Sequence, residues 1–182
     1  MPRGTRSRRR TRLIRILGIE DVAIFKAIRL EALLTEPAAF ASSVEDWEAL
    51  SDDEWRTRLA DGPIFAAFKG NDPIGIMGLS RQRASKIAHR ATLIMVYVRG
   101  SERAGGHARE LLNATVAFAR KSGIRQLELA VSAENTSARR FYEREGFHEV
   151  GRSGGFIHDS REIDDVIMVR RINDHENVGL HR

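Results

Sequence analysis

A run of small residues between two strongly patterned segments constrains the fold of this chain more than any other feature. An apolar, strand-like segment covers residues 92–98, and apolar residues at helical spacing cover residues 107–121. The connection contains Arg103-Ala104-Gly105-Gly106-His107-Ala108. Small residues let the backbone approach a ligand, and the free N–H groups and dipole of a helix start attract an anion. The sequence therefore predicts a pyrophosphate-binding turn at the start of this helix.

The rest of the pattern predicts strands and helices in a mixed order. A strand at residues 13–17 and a helix at residues 20–34 precede a second helical segment at residues 47–59, which a capping sequence at Ser51 can divide. Further strands are predicted at residues 64–68, 73–79, 92–98, 127–131, 147–150 and 165–170, with a short helix at 135–145. Residues 92–131 form a strand–helix–strand unit, which implies a parallel crossover. This order predicts an α+β (mixed α/β) fold, with one mixed sheet and helices on both of its faces.

The positive charge of the chain is concentrated at its start. The net charge is +5, yet the first fifteen residues hold seven arginines and no acid, so the remainder carries a net charge of −2. We therefore expect a disordered basic leader at residues 1–12, a single domain at residues 13–173 and a flexible tail at residues 174–182. A nucleic-acid contact through the leader stays open, but nucleic acid is not an expected partner of the domain.

Two absences from the sequence limit the chemistry. The chain has no cysteine, which excludes disulfides, thiolate–metal sites and a cysteine nucleophile. No apolar run reaches the roughly 18 residues of a membrane span, so we expect no membrane partner. The sequence predicts no metal site. We expect a cytoplasmic location, and a homodimer is an allowed assembly.

A second motif follows the turn at residues 135–147. With the turn, it makes the chain resemble the GNAT superfamily of acetyl-coenzyme A-dependent N-acetyltransferases. The resemblance lies in Val96-Tyr97-Val98, Arg103-x-x-Gly106-x-Ala108, Asn135-x-x-Ala138-x-x-Phe141-Tyr142 and Gly146-Phe147. It covers about residues 92–150, and the order of elements agrees from residue 13 to 171. It implies a GNAT-like twisted sheet of six to seven strands, with a V-shaped opening between the fourth and fifth.

The resemblance also implies acetyl-CoA as cosubstrate and gives each motif a role. The pantetheine arm would pair with the backbone of Val96, Tyr97 and Val98. The pyrophosphate would be held by the N–H groups of Arg103, Ala104, Gly105, Gly106, His107 and Ala108. Asn135 would contact the arm, and Tyr142 would protonate the departing thiolate.

Two residues of the turn depart from the common pattern of that superfamily. Ala104 stands where many members have glycine, and it is tolerated only if its φ is negative. His107 stands where many members have an apolar residue. We expect its side chain to face solvent at the helix start, with a phosphate-facing position as the alternative.

No general base stands out in the sequence. A lysine-like amine has a pKa of ~10.4, so only ~0.04% of it is neutral at pH 7 and the enzyme must find or create that form. His89 lies seven residues before Val96, roughly 23 Å along an extended strand, which is too far from the cleft unless the chain bends. Five other residues could reach the cleft or line the acceptor side, although we expect each to be structural or exposed: Glu31, Glu36, Glu128, His158 and Asp165. We expect Trp47 and Trp55 to pack between helix and sheet, with a role in the acceptor pocket as the alternative.

These features predict an N-acetyltransferase that moves an acetyl group from acetyl-CoA to a primary amine of a small molecule, peptide or protein. Because no cysteine is available, direct attack in a ternary complex is the expected mechanism. The alternative is a non-catalytic CoA-binding sensor or a nucleic-acid-associated module of the same fold. The presence of Tyr142 and of an intact turn favours the enzyme.

Overall fold

Seven strands form one sheet in this computed structural model, which describes residues 12–172. Their order across the sheet is β1-β2-β3-β4-β5-β7-β6. The strands are β1 (Arg12–Ile16), β2 (Ile64–Lys69), β3 (Asp72–Arg81), β4 (Arg90–Val98), β5 (Gln126–Ser132), β6 (His148–His158) and β7 (Arg161–Arg171). The β4–β5 pair is parallel and the other neighbouring pairs are antiparallel. The predicted mixed α+β sheet is confirmed.

Helices cover both faces of the sheet, as predicted. They are α1 (Val22–Thr35), α2 (Val44–Glu48), α3 (Asp52–Ala60), α4 (His107–Lys121) and α5 (Thr136–Arg144). Ser51 separates α2 from α3, since its hydroxyl accepts from the Glu54 N–H and the Glu54 carboxylate accepts from the Ser51 N–H. No helix within residues 12–172 is long and apolar enough to cross a membrane.

The sheet separates two hydrophobic cores. On β2, Phe65 and Ala67 face the core under α4 and α5, whereas Ile64, Ala66 and Phe68 face the core under α1–α3. In the second core, Phe25, Trp47 and Trp55 pack with ring centroids 5.1–6.0 Å apart. Alternation along a strand thus supplies apolar surface to both faces of the sheet.

The sheet opens between β4 and β5. These strands pair only where Arg90, Ala91 and Thr92 meet residues 126–128, although β4 continues to Val98. A bulge turns β4 away, since Met95 has a φ of 53° and the register to β3 shifts beside it. The predicted V-shaped opening is confirmed.

Strand β6 extends well beyond the predicted residues 147–150 and reaches His158. It lies at the edge of the sheet and is exposed along most of its length, so its residues need not alternate between polar and apolar. The predicted leader and tail fall outside the described residues, except that Arg12 begins β1.

Candidate active site

The turn before α4 has a backbone suited to an anion. A 3-10 segment at Gly100–Gly105 leads to Gly106, whose left-handed conformation (φ 80°) caps α4. This φ strains any residue with a Cβ, although the space around Gly106 is open. Ala104 has a negative φ, as its Cβ requires. Because the first N–H groups of a helix have no intrahelical acceptor, the turn presents donors toward solvent.

Side chains of the turn bind neighbouring elements. The Arg103 Nε donates to the Val98 carbonyl at 3.0 Å, and its guanidinium also pairs with Glu36. Glu102 accepts from the Lys69 ammonium at 2.6 Å. These contacts fix the turn against β2, β4 and the end of α1, and leave its backbone to face a ligand.

The expectation that His107 faces solvent is wrong. Its side chain is only 4% exposed and packs beneath Gly105, where an added Cβ would lie 2.8 Å from the imidazole. The ring nitrogens lie 3.5 Å from Glu110 and 3.8 Å from Glu102. Side chains in a helix point back toward its N-terminus, which brings this ring under the turn.

One edge of β4 lacks a partner strand within the described residues beyond Thr92. The opposite edge pairs with β3 as far as Val98, whereas β5 has diverged. Unpaired N–H and C=O groups on such an edge can pair with an extended ligand. Val96 lies on the cavity described next, while the Tyr97 side chain points to the α1 face and donates to Glu31 at 3.0 Å.

A cavity of about 490 Å³ occupies the opening between β4 and β5. Phe40 and Trp47 line it from the α1–α3 face, and Asn135, Ala138 and Tyr142 line it from the α5 side. The cavity therefore reaches both faces of the sheet. The six residues of the turn at 103–108 do not line it.

Tyr142 and Asn135 reach this cavity from α5. The Asn135 side chain caps α5 by accepting from the Ala138 N–H at 3.1 Å. Tyr142 is 5% exposed, and its ring packs between Phe141 and Phe147 at 5.2 and 5.5 Å. Burial raises the pKa of its phenol, and no hydrogen bond joins the hydroxyl to another residue of 12–172. Tyr142 therefore keeps its proton at neutral pH.

Most of the sequence-derived base candidates lie away from the cavity. The Glu31 carboxylate binds Arg99 through two 2.8 Å hydrogen bonds. Glu128 accepts from Arg90 at 2.7 Å, and Glu36 pairs with Arg103. Neither His89 nor His158 lines the cavity.

Asp165 is the candidate that does reach the cavity. It lies on β7, opposite Ser132 of β5 and beside the divergence of β4. Burial raises the pKa of its carboxyl, and repulsion from Asp164 adds to this effect. The sequence signal was the acidic pair Asp164-Asp165 directly before the apolar run at residues 166–169.

Sequence reasoning missed two arginines on the cavity wall. Arg29 is 3% exposed, with its guanidinium carbon 4.7 Å from the Phe40 ring centroid and 4.4 Å from that of Trp47. Arg58 also lines the cavity and lies 4.7 Å from the Trp47 centroid. The signal for Arg29 was its position on the apolar stripe of α1, three and four residues from Ala32 and Phe25.

Comparisons with known proteins agree with this architecture. An uncharacterized N-acetyltransferase of Methanocaldococcus jannaschii is 30% identical over 98 residues, which cover 53% of this chain and 43% of that protein's length. A GNAT-family acetyltransferase of Streptococcus pneumoniae superposes with a TM-score of 0.78 at 22% identity, over 90% of this chain and 100% of that one. A candidate acetyltransferase of Salmonella typhimurium, solved with its cofactor acetyl-CoA, gives 0.76 at 18% identity, over 94% and 99%.

The structural likenesses show the fold, and a family model shows the membership. The model of the acetyltransferase (GNAT) family matches residues 28–147. That range contains the turn before α4, the opening between β4 and β5, and Tyr142. The chain therefore belongs to the GNAT family of acetyltransferases.

Proposed function

We propose that this protein transfers the acetyl group of acetyl-CoA to a primary amine by direct attack in a ternary complex. One observation carries the proposal: a single cavity joins the bulged edge of β4 to a buried phenol and to a carboxylate. Acetyl-CoA supplies an activated thioester, and the chain supplies an anion-binding turn, a free strand edge and a proton donor.

Features of the turn, of β4 and of the cavity support binding of the elongated cosubstrate. The open space at Gly106 leaves the donors of the turn accessible to a diphosphate. Val96, Tyr97 and Val98 offer main-chain groups to the pantetheine arm. The arm would then lead to the cavity wall formed by Asn135 and Tyr142.

The reaction forms one C–N bond and breaks one C–S bond. The lone pair of the neutral amine attacks the thioester carbonyl carbon, and a main-chain N–H of β4 stabilises the resulting oxyanion. Collapse expels the thiolate, which takes the proton of the Tyr142 hydroxyl. The nitrogen, which carries an extra proton after the attack, loses that proton, and the Tyr142 phenolate regains one through solvent, so the phenol is restored and no net proton is consumed.

Proton donation by Tyr142 has a modest cost. At reference pKa values of ~10 for a phenol and ~8.5 for a thiol, the transfer is uphill by about 2 kcal/mol. Burial raises the pKa of Tyr142. The same apolar surroundings raise the pKa of a thiol that departs into the cavity, so the difference between the two groups changes less than either value.

Asp165 binds the acceptor ammonium and acts as its base in this proposal. Its carboxylate attracts the ammonium form of the acceptor and accepts a proton when the neutral form is generated. The raised pKa of Asp165 makes it a stronger base than an ordinary aspartate.

An acceptor screen tests the proposed function. Purified protein is mixed with acetyl-CoA and a panel of amino acids, polyamines and peptides, and the release of free thiol is measured. The product is then identified by mass spectrometry. We expect one class of amine to be acetylated on nitrogen. Binding of acetyl-CoA without turnover across the panel would instead identify a sensor.

A further inference from the structure

Arg29 is a buried cation without a counter-ion among residues 12–172. Its Nε and Nη1 atoms are sealed from solvent and have no hydrogen-bond partner. No carboxylate of the described chain lies within ion-pair distance of its guanidinium. Arg99 shows the contrast, because its guanidinium binds the carboxylates of both Glu31 and Asp72. An unpaired buried charge is costly, and Nη2, which is not among the sealed atoms, is the donor through which a ligand in the cavity would offset that cost.

Arg58 adds a second positive charge to the same wall. Both guanidinium groups lie against the Trp47 ring. Burial lowers the pKa of Arg29 to about 10, and repulsion from Arg58 contributes to that shift. The aromatic faces of Phe40 and Trp47 offset part of the desolvation, but a ring cannot neutralise two charges.

The coenzyme does not supply the missing anion. The turn that suits its diphosphate precedes α4 on one face of the sheet, whereas α1 and α3 carry these arginines on the other face. The turn and the two arginines also line different surfaces, because the cavity excludes residues 103–108. With the coenzyme set aside, the acceptor is the reactant that can bring an anion to this wall.

We propose that the acceptor amine carries a carboxylate or an equivalent phosphonate, which Arg29 and Arg58 bind beside Phe40 and Trp47. This inference rests on the proposed function and narrows its substrate class to small anionic amines, such as free amino acids. Arg29 and Arg58 bind the anion, while Asp165, on the same cavity, faces the amine. The cavity thus carries charges of both signs, as a zwitterionic acceptor requires.

Matched acceptors test the charge requirement. Each L-amino acid is compared with its primary amide, and alanine also with 1-aminoethylphosphonate, by thiol release at pH 7.5. We expect kcat/KM to be at least about 10-fold higher for the preferred acid than for its amide, as befits a charge-assisted hydrogen bond. The amide has the more abundant neutral amine, so an uncharged pocket would favour it instead. Activity with the phosphonate distinguishes general anion binding from carboxylate geometry.

Arg58→Gln is the principal variant, because Arg58 is exposed on α3 and its loss does not threaten folding. We expect it to raise KM for the acid by about 10-fold or more and to leave kcat and the KM for the amide unchanged. Arg56→Gln is the matched control on the same helix, since Arg56 pairs with Asp53 outside the cavity. Arg29→Lys keeps the charge but loses the planar fork, and we expect an intermediate KM.

The outcomes separate this inference from the proposed function. Two results would overturn the proposal of an anionic acceptor: equal turnover of acid and amide, or a KM for the acid that Arg58→Gln leaves unchanged. Either result would leave the proposed N-acetyl transfer intact. Loss of all turnover would instead count against the proposed function. In that case the anion site is tested by binding alone. The measurement is the change in melting temperature that amino acids cause in the coenzyme A-bound protein. A shift abolished by Arg58→Gln supports the anion site, and its absence in the unmodified protein refutes it.

Discussion

Tyr142 owes its proposed role to burial. A phenol surrounded by Phe141 and Phe147, with its pKa raised by desolvation, keeps its proton at neutral pH. It can therefore release that proton only to a strong base such as a nascent thiolate. The same side chain is part of a hydrophobic core, so its ring and its hydroxyl have separable functions.

The variant Tyr142→Phe removes the hydroxyl and keeps the packing. We expect kcat to fall by roughly 100-fold, because a positioned general acid contributes about that much. The affinity for acetyl-CoA, measured by calorimetry, should change less than threefold by the same reasoning. An unchanged turnover number would remove the proton-donor role.

Asp165→Asn should separate stability from activity. The pKa of Asp165 is higher in the folded state than in the unfolded state. Asp165 therefore contributes favourably to the free energy of unfolding below its unfolded-state pKa, and this contribution is lost as the pH rises through its folded-state pKa. The variant should therefore melt at a higher temperature than the parent at pH 7, and the two should converge near pH 3. Acetyl transfer should fall roughly 10-fold or more. A lower melting temperature at pH 7 would contradict the cost assigned to this carboxylate.

Single residues also mark the limit of sequence reasoning. Tyr142 could be proposed from its motif, because the neighbouring residues matched as a set. The position of His107 could not, since one helix residue can point outward or back under the preceding turn. Arg29 was missed because burial without a partner depends on which side chains surround it in three dimensions.

At the level of elements, the connection between β4 and α4 is the most demanding part of the chain. It contains a left-handed glycine, a buried imidazole and side-chain contacts to three other elements. These contacts fix the backbone before any ligand arrives. A turn that is already rigid loses little conformational entropy when it binds an anion.

Gly106→Glu should abolish binding of acetyl-CoA. A side chain at this position occupies the space that a diphosphate needs, and its charge repels the anion. The left-handed φ adds a folding cost of about 1–2 kcal/mol. Gly123→Glu is the matched control, because Gly123 also has a positive φ and open surroundings but follows the opposite end of α4. Micromolar binding by Gly106→Glu would contradict the assignment of the turn.

Elements whose apolar residues recur with a clear helical or strand period were predictable from the sequence. The full length of the exposed edge strand β6 was not. The segment from β4 to β5 combines alternating strands with an amphipathic helix, so its type and order were correct. Strand β6 has little contact with a core and contains Gly151, Gly154 and Gly155, which removes the alternation that marks a strand. Its length is set by pairing with β7, a property of the tertiary structure.

At the level of the whole molecule, the described residues form one seven-stranded sheet with helices on both of its faces. Residues 12–172 contain both hydrophobic cores, the cavity and the turn. The first fifteen residues hold seven arginines and no acid, and residues 16–182 carry a net charge of −2.

Deleting residues 1–11 should therefore leave acetyl-CoA affinity within twofold of the full-length value, as measured by calorimetry at two salt concentrations. Distant exposed charges are screened beyond about 10 Å at 0.1 M salt, which limits any remaining effect. A large loss of affinity would assign the arginines a part in cosubstrate binding.

Because the sheet is parted where β4 leaves β5, the two reactants can approach the reacting carbon from opposite sides. On the proposed function, acetyl-CoA would reach the cavity from the α4 side and the acceptor from the α1–α3 side, so neither would have to enter first. The order of addition should then be random, and each reactant should bind the free protein alone in equilibrium dialysis. A sheet closed along its full length would have forced both molecules through one entrance and imposed a sequence on them.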